Sequence, residues 1–168
     1  MRAVVQRVTS ASVTVDNEVV SSIGRGLLVL VGIGSDDGPS DVESIAKKIL
    51  SLRMWPDIAK NTQWKANVKD ITGEVLCVSQ FTLMARTDKG KPDFHRAMAP
   101  ESSKAMYATV LERLGAMYDA SRVKDGKFGA MMSVGLENDG PVTFTLDSRK
   151  FEYSPPGPGA GTSSKQAD

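Results

Sequence analysis

Apolar and polar residues alternate near the start of the chain in a pattern that predicts β-structure. Residues 3–8 and 11–15 carry valine and alanine at strand-like spacing, and in the second stretch these alternate strictly with polar residues. Asp16 and Asn17 form a turn pair, after which residues 18–23 resume the extended pattern. The pattern therefore predicts a first strand, followed by a hairpin built from residues 11–15 and 18–23.

Residues 27–33 form an apolar run with no polar face, which indicates a central strand covered on both sides. The next segment has helical spacing, with Pro39 suited to the first turn and Pro56 expected to end the helix. A second helix is expected to open at Pro100. The two apolar helix faces consist of Val42, Ile45, Ala46, Ile49 and Leu52, and of Tyr107, Val110, Leu111, Leu114, Met117 and Tyr118.

Three later stretches read as strands, namely residues 75–78, 126–136 and 142–146, with a dense turn signal at 138–141. Strand-rich ends with helices inserted between them predict an α/β class of mixed or antiparallel pairing. The folded domain is expected to cover residues 1–153. Residues 154–168 are rich in proline, glycine and serine and cannot bury a core, so a disordered tail is expected there.

Composition narrows the functional classes. A chain of 168 residues with 40% hydrophobic content suits one compact domain. The 21 basic residues nearly balance the 20 acidic ones, which argues against a general polyanion binder held by long-range attraction. The single cysteine, Cys77, excludes an internal disulfide and reads as a small buried side chain. No apolar run approaches the roughly 20 residues of a membrane-spanning helix, so a cytoplasmic protein without a membrane partner is expected.

Candidate chemistry lies where the apolar run 75–78 passes directly into Ser79, Gln80 and Thr82. These polar groups could simply bond neighbouring backbone as the strand ends. A hydroxyl nucleophile would need a base, and the only imidazole is that of His95, on a polar segment that nothing in the sequence places nearby. Backbone N–H groups at a strand end can stabilise an oxyanion without any titratable side chain.

Metal and nucleotide cofactors are not expected. One histidine and one cysteine in unrelated segments do not supply a zinc site. No phosphate-binding Gly-x-x-x-x-Gly-Lys-Ser/Thr loop is present, and Gly32-Ile33-Gly34 lacks the third glycine of a dinucleotide site.

Residues 84–100 form a basic loop that contains Arg86, Lys89, Lys91 and Arg96, and it is either plain solvated surface or a phosphate-contact region.

Two motifs in the chain are specific to one family. Ser79-Gln80-Phe81-Thr82-Leu83 is similar to an S-Q-x-T-L signature, and residues 138–143 are similar to an N-x-G-P-[VI]-T signature. With the opening residues 1–8 and the segment 127–130, they make the chain resemble D-aminoacyl-tRNA deacylases of the DTD type, formerly called D-tyrosyl-tRNA deacylases. The resemblance covers about residues 1–150, and the tail departs from it.

The resemblance implies a mixed α/β, strand-rich fold with two main helices whose sheets assemble across a homodimer interface. It also implies an active site at that interface. A cis Gly140-Pro141 peptide would reach into the partner's pocket, where its carbonyls screen the chirality of the substrate, and Arg7 would hold the motif in place. A cis X-Pro bond costs only about 0.5–1 kcal/mol, so packing can fix it.

The implied reaction is hydrolysis of the ester of D-aminoacyl-tRNA, without metal or cofactor. Water would attack with help from the 2′-hydroxyl of the terminal adenosine, and backbone N–H groups at Phe81 and Thr82 would stabilise the oxyanion. Ser79 and Gln80 would shape the pocket. The adenosine would lie against Phe128, Ala130 and Met131, with core packing as the rival role for the methionines, and the tRNA phosphates would contact Arg86, Lys89, Lys91 and Arg96.

Two alternatives stay open at this point. Thr82 or Ser79 could instead form an acyl-enzyme, and the chain could bind the tRNA acceptor end without catalysis. Because glycine has no side chain to clash with the Gly-Pro backbone, imperfect rejection of glycyl-tRNA is also expected.

Overall fold

The computed structural model describes residues 1–57 and 59–149. Within these residues the chain forms a six-stranded sheet, two α-helices and two short 3₁₀ helices. The strands are β1 Arg2–Val15, β2 Glu18–Ile23, β3 Gly26–Gly32, β4 Glu74–Ser79, β5 Val123–Asp125 and β6 Ser133–Asp147. The helices are α1 Pro39–Ser51 and α2 Pro100–Met117, and the 3₁₀ helices are Phe81–Met84 and Ala120–Arg122. The predicted tail, 154–168, lies outside the described residues, as does the boundary at 153.

The sheet is mixed, which confirms the predicted α/β class. Its strand order is β2-β1-β3-β4-β5, and β6, which lies outside this order, also pairs with β1. The strands β3, β4 and β5 run parallel to one another, whereas β1 is antiparallel to β2, β3 and β6. The predicted hairpin and the predicted central strand are confirmed as β1–β2 and β3. None of the helices in the described residues has the length and apolar character of a membrane span.

The two strands predicted over residues 3–8 and 11–15 are one strand, because β6 pairs with β1 from Arg2 to Thr14. A register shift between Val8 and Ser10 explains why the pattern suggested a break. Ala3 and Val5 face one core, whereas Ala11 and Val13 face the other. The register shift therefore moves the odd-numbered side chains of β1 from the first core to the second.

The strand predicted over residues 126–136 begins only at Ser133. Before it, the chain turns: the Ala130 N–H donates to the Lys127 carbonyl at 3.1 Å, and Gly129 has a φ of +76°. The turn predicted at 138–141 lies inside β6, because Gln6 pairs with Thr143 while Val8 pairs with Asn138. Residues 139–142 therefore bulge opposite Arg7 without ending the strand.

Alternate residues of the central strands face two separate cores. Leu27 and Val29 pack with α1 and α2, while Leu28 faces the opposite core. Both predicted helix stripes are confirmed as core-facing, although α1 ends at Ser51, before Pro56, with Leu52 as its C-cap. The same buried packing holds for Cys77, whose burial raises its thiol pKa.

Candidate functional site

The carboxyl ends of the three parallel strands meet at one edge of the sheet. In the β3–β4 register Val31 lies beside Ser79, and in the β4–β5 register Cys77 lies beside Asp125. The Gly126 N–H donates to the Cys77 carbonyl at 3.1 Å, so the chain after β5 stays close to the end of β4. In open α/β sheets this edge is where ligands bind.

The segment Ser79–Thr82 leaves β4 through a tight turn. The Gln80 N–H still donates to the Val31 carbonyl at 2.7 Å, and the 3₁₀ helix closes when the Leu83 N–H donates to the Gln80 carbonyl at 3.2 Å. Phe81 and Thr82 are exposed. Within the described residues the backbone N–H groups of Phe81 and Thr82 have no backbone acceptor, as expected for the first turn of such a helix. They are free to bind an anionic oxygen.

Gly32 lets this turn sit directly on β3. A Cβ at Gly32 would lie 2.7 Å from the Leu83 Cβ and 2.9 Å from the Gln80 carbonyl oxygen, so no larger residue fits without a shift. The Arg2 guanidinium adds a hydrogen bond of 3.0 Å to the Leu83 carbonyl. Packing and a hydrogen bond thus fix the turn from two sides.

In the part of the chain that the structure describes, no base lies beside the hydroxyls of this segment. Thr82 Oγ1 accepts a hydrogen bond from the Gln80 side-chain amide. His95 lies exposed on the basic loop, where its Nδ1 is 2.7 Å from the Asp93 carboxylate, and hydrogen bonds from the His95 backbone and side chain lower the pKa of Asp93. Within the described part of the chain, no titratable side chain hydrogen-bonds to Ser79 or Thr82, and no group of three histidine, cysteine or carboxylate side chains could bind a metal.

The predicted adenosine residues lie at the same sheet edge. Phe128 packs against Tyr107, with ring centroids 5.7 Å apart and an angle of 42° between the planes. Met131 is 92% exposed, whereas the neighbouring Met132 packs against the second core, so only Met132 fits the core-packing role. Ala130 is half-buried and also packs against that core.

A part-buried hydrogen bond holds Tyr107, the residue that Phe128 packs against. The Tyr107 hydroxyl donates to Asp125 Oδ1 at 2.6 Å, and burial raises the pKa of both groups. Because Asp125 ends β5 and the turn with Phe128 follows it, this bond ties the predicted adenosine segment to α2.

The bulge that contains Gly140 and Pro141 is held mainly by Arg7 and Asn138. The Gly140–Pro141 peptide bond is cis, as the resemblance implied. Arg7 Nε lies 3.0 Å from the Asp139 carboxylate, and its guanidinium also donates to the Met54 carbonyl. The Asn138 amide donates to the carbonyls of Arg7, at 2.8 Å, and of Val142, at 3.1 Å.

Glycine is required at position 140. Its φ is +119°, a conformation that side chains disfavour, and an added Cβ would lie 2.7 Å from the Val142 Cγ2 atom. Gly140 and Pro141 are themselves exposed, so the bulge presents its backbone to solvent.

Within one chain the two motifs lie at different ends of the strands. Arg7, beside the bulge, pairs with Leu27 at the start of β3, whereas Ser79 pairs with Val31 near its end. Four residues of strand separate the two positions, which corresponds to about 13 Å along the sheet. The structure therefore does not bring Gly140 and Pro141 to the Ser79–Thr82 segment of the same chain.

Known proteins match the chain over almost all of the described residues. The family model described as D-Tyr-tRNA(Tyr) deacylase matches residues 4–147. A D-aminoacyl-tRNA deacylase of Drosophila melanogaster is 54% identical over 88% of this chain and 92% of its own length. The corresponding protein of Yarrowia lipolytica is 52% identical over 89% of this chain and 98% of its own.

This chain belongs to the D-aminoacyl-tRNA deacylase family. The predicted resemblance is confirmed, and with it the class of enzyme, an ester hydrolase. A solved structure named c-Myc DNA unwinding element binding protein has the same fold, with a TM-score of 0.86 and 49% identity over 89% of this chain and all of that one. The family match includes both motif segments, at residues 79–83 and 138–143.

The basic loop of this family member is folded back on the sheet. Arg86 and Asp93 exchange backbone hydrogen bonds of 2.8 and 2.9 Å, and the Ser35 N–H donates to the Arg96 carbonyl at 2.9 Å. Arg86 is paired with Asp88, whereas Lys89, Lys91 and Arg96 are exposed and form no ion pair within the described residues.

Sequence reasoning missed Phe94, which lies on this loop. Its ring meets that of Phe81 edge to face, with centroids 5.0 Å apart. An aromatic residue inside a basic, otherwise polar loop was the available signal, because such residues commonly mark nucleic-acid contacts. Only the fold could show that Phe94 meets the S-Q-x-T-L segment.

Proposed function

We propose that this chain hydrolyses the ester bond of D-aminoacyl-tRNA, releasing a free D-amino acid and tRNA. One observation carries the proposal: the family match spans residues 4–147 and includes both the strand-end motif and the Gly-Pro motif. The exposed, base-free turn at Phe81 and Thr82 supports a reaction in which water is the nucleophile. The place of action that fits a tRNA substrate is the cytoplasm.

In the proposed reaction, water adds to the ester carbonyl with the tRNA 2′-hydroxyl assisting proton transfer. The free N–H groups of Phe81 and Thr82 bind the oxyanion, with Ser79 and Gln80 shaping the pocket. The ester C–O bond then breaks, and the 3′-oxygen of the terminal adenosine leaves with a proton. Phe128, Ala130 and Met131 contact that adenosine at the same sheet edge.

The proposed active site is shared between two copies of the chain. Gly140 and Pro141 lie about 13 Å along the sheet from the turn of their own chain, so a partner's bulge is needed beside it. Exposed apolar side chains on and beside β6 support self-association; Leu136, Phe144 and Trp64 are among them. Phe144 and Trp64 pack edge to face, with centroids 6.3 Å apart.

The screen for chirality is steric in this proposal. The Gly140 and Pro141 carbonyls of the partner hold the substrate's α-amino group, and the strand-end turn holds the ester carbonyl. The side chain of an L-residue must then strike the Gly-Pro backbone. A thousandfold preference requires only about 4 kcal/mol.

Deacylation of matched D- and L-tyrosyl-tRNA tests the proposed function. We expect the D-ester to be cleaved about a thousandfold faster, measured as kcat/KM, and glycyl-tRNA to be cleaved faster than L-alanyl-tRNA. Absence of D-ester turnover would contradict the proposal. Undiminished cleavage of a substrate ending in 2′-deoxyadenosine would contradict only the assisting role of the 2′-hydroxyl.

A second candidate function is nucleic-acid binding without turnover. It is favoured by one observation, the similarity to a structure named for binding a DNA unwinding element. The net charge of +1 gives this candidate little long-range attraction for a duplex. It predicts binding of uncharged tRNA or of DNA together with no hydrolysis of D-tyrosyl-tRNA, so the same assay separates the two functions.

A further inference from the structure

Two exposed aromatic rings lie side by side next to the strand-end turn. Phe81 is 57% exposed and Phe94 is 38% exposed, and their centroids are 5.0 Å apart at an angle of 65°. Neither residue belongs to the hydrophobic cores of the described residues. The pair therefore leaves apolar surface in contact with water at the edge of the site.

Backbone hydrogen bonds hold Phe94 in this position. The residue before it, Asp93, forms two backbone hydrogen bonds with Arg86, one through its N–H and one through its carbonyl. The Phe94 carbonyl accepts from the Ala97 N–H at 2.9 Å. The Met98 N–H then donates to the Ile33 carbonyl at 3.0 Å, which ties the end of the loop to β3. Phe94 is thus presented by an ordered loop, so little conformational entropy is lost when a planar group packs on it.

The loop that carries Phe94 also carries cationic side chains. Lys89, Lys91 and Arg96 share the loop of Phe94 and have no ion-pair partner in the described part of the chain. Beside the loop is a cleft of about 720 Å³, lined by Arg86 and Arg96 among other residues. Four arginines line this cleft, and within the described residues all of them except Arg96 form ion pairs with aspartates; the paired arginines are Arg2, Arg86 and Arg149.

We infer that the Phe94 ring, supported edge to face by Phe81, stacks against an unpaired base of the tRNA acceptor end, one of the nucleotides that precede the terminal adenosine. Arg96, Lys89 and Lys91 contact the phosphates of that strand. This inference rests on the proposed function, which places the terminal adenosine at Phe128 on the same sheet edge. Exposed rings together with unpaired cations match single-stranded RNA, whereas a subunit interface disfavours unpaired charge.

A comparison of three Phe94 variants on two substrates tests the inference. With D-tyrosyl-tRNA, we expect Phe94→Ala to raise KM about 5- to 150-fold and to leave kcat near the wild-type value, as loss of one stacked base predicts. Phe94→Tyr keeps the ring and should keep the low KM. Phe94→Leu keeps apolar packing but no π-face and should behave like Phe94→Ala. With 3′-D-tyrosyl-adenosine, which lacks the preceding nucleotides, the KM ratio between variant and wild type should be near one.

Several results would overturn this assignment. An equal rise in KM on both substrates, or a normal KM for Phe94→Leu, would give Phe94 a packing role. A shift of Phe94→Ala to monomers in size-exclusion chromatography with light scattering would assign the pair to a subunit interface. If the wild-type protein cleaves no D-tyrosyl-tRNA, the proposed function fails. In that case, fluorescence anisotropy measures the binding of an RNA oligonucleotide that ends in CCA to the wild type and to Phe94→Ala. Equal binding by the two proteins would reject the inferred stacking.

Discussion

At the scale of single residues, the hydroxyl of Thr82 separates two mechanisms. We expect Thr82→Ala to lower the single-turnover rate on D-tyrosyl-tRNA by less than about tenfold, because backbone N–H groups remain and no base contacts the hydroxyl. Loss of a true nucleophile costs about 10⁶-fold in the best-studied hydrolases. A loss of that order with substrate binding intact would establish the acyl-enzyme instead.

Gly32 makes a second prediction at this scale. A Cβ there would press on Leu83 and Gln80, so Gly32→Ala should destabilise the protein by about 1–3 kcal/mol and lower kcat by displacing the proposed oxyanion-binding turn. Urea unfolding and steady-state deacylation measure the two effects. Gly90→Ala is the matched control, because nothing lies within 4 Å of its added Cβ, and it should stay within about 0.5 kcal/mol of wild type. Equal stability of the two variants would contradict the close contact.

At the scale of elements, Glu74 joins β2 to β4 and β5. Its carboxylate accepts from the Gly24 N–H at 2.8 Å and lies 3.0 Å from the Lys124 ammonium, and these two contacts hold the pKa of Glu74 below its usual value. A carboxyl with a lowered folded-state pKa stabilises the fold above its ordinary pKa, and that contribution is lost as the pH falls through the folded-state value.

We therefore expect Glu74→Gln to cost about 1 kcal/mol at pH 7, the difference between a hydrogen bond to a charged group and one to a neutral group, because glutamine keeps the acceptor but not the charge. The difference from wild type should shrink as the pH falls below the ordinary glutamate range. Denaturant unfolding at a series of pH values from neutral to acid measures it. A difference that stays constant with pH would mean that the charge of Glu74 contributes nothing.

The elements also show what a sequence can and cannot predict. Both helices and the central strand were predictable, since their apolar periodicity is local and strong. Asn138-Asp139-Gly140-Pro141 has the composition of a turn that ends a strand, yet β6 continues through it because β1 supplies hydrogen-bond partners on both sides. β5 was not predicted, since three residues are too few to show a period. In both cases, pairing with strands that are distant in sequence determines where the strand begins and ends.

The same limit applies to the candidate site. The S-Q-x-T-L and Gly-Pro segments could be recognised from their residues, and the single histidine left Thr82 with one candidate imidazole base, which nothing in the sequence placed nearby. The pairing of Phe94 with Phe81 and the anchoring of Phe128 by Tyr107 could not, because they depend on how a loop and a helix pack against the sheet edge.

At the scale of the whole molecule, a mixing experiment tests whether two chains share each site. Gly140→Ala should inactivate the bulge, and a Gly32→Ala, Thr82→Pro double variant should inactivate the turn. After the two inactive proteins are unfolded and refolded together, each mixed dimer has one site with both parts intact. We expect activity to return to about one quarter of wild type, given random pairing in a two-fold symmetric dimer.

The control is each variant refolded alone, which should remain inactive. Sites that lie within single chains would give no recovery in the mixture, since every chain then carries one defect. Recovery therefore distinguishes a shared site from two independent ones without any structure of the complex.

Arg7 and Ser79 pair with residues four positions apart on β3, and this offset has a kinetic consequence if two chains share each site. A lone subunit then has no complete site, so its turnover is zero rather than half that of the pair. Below the dissociation constant of the pair, the rate rises with the square of protein concentration. The enzyme's own abundance would thereby set a threshold beneath which misacylated tRNA escapes correction.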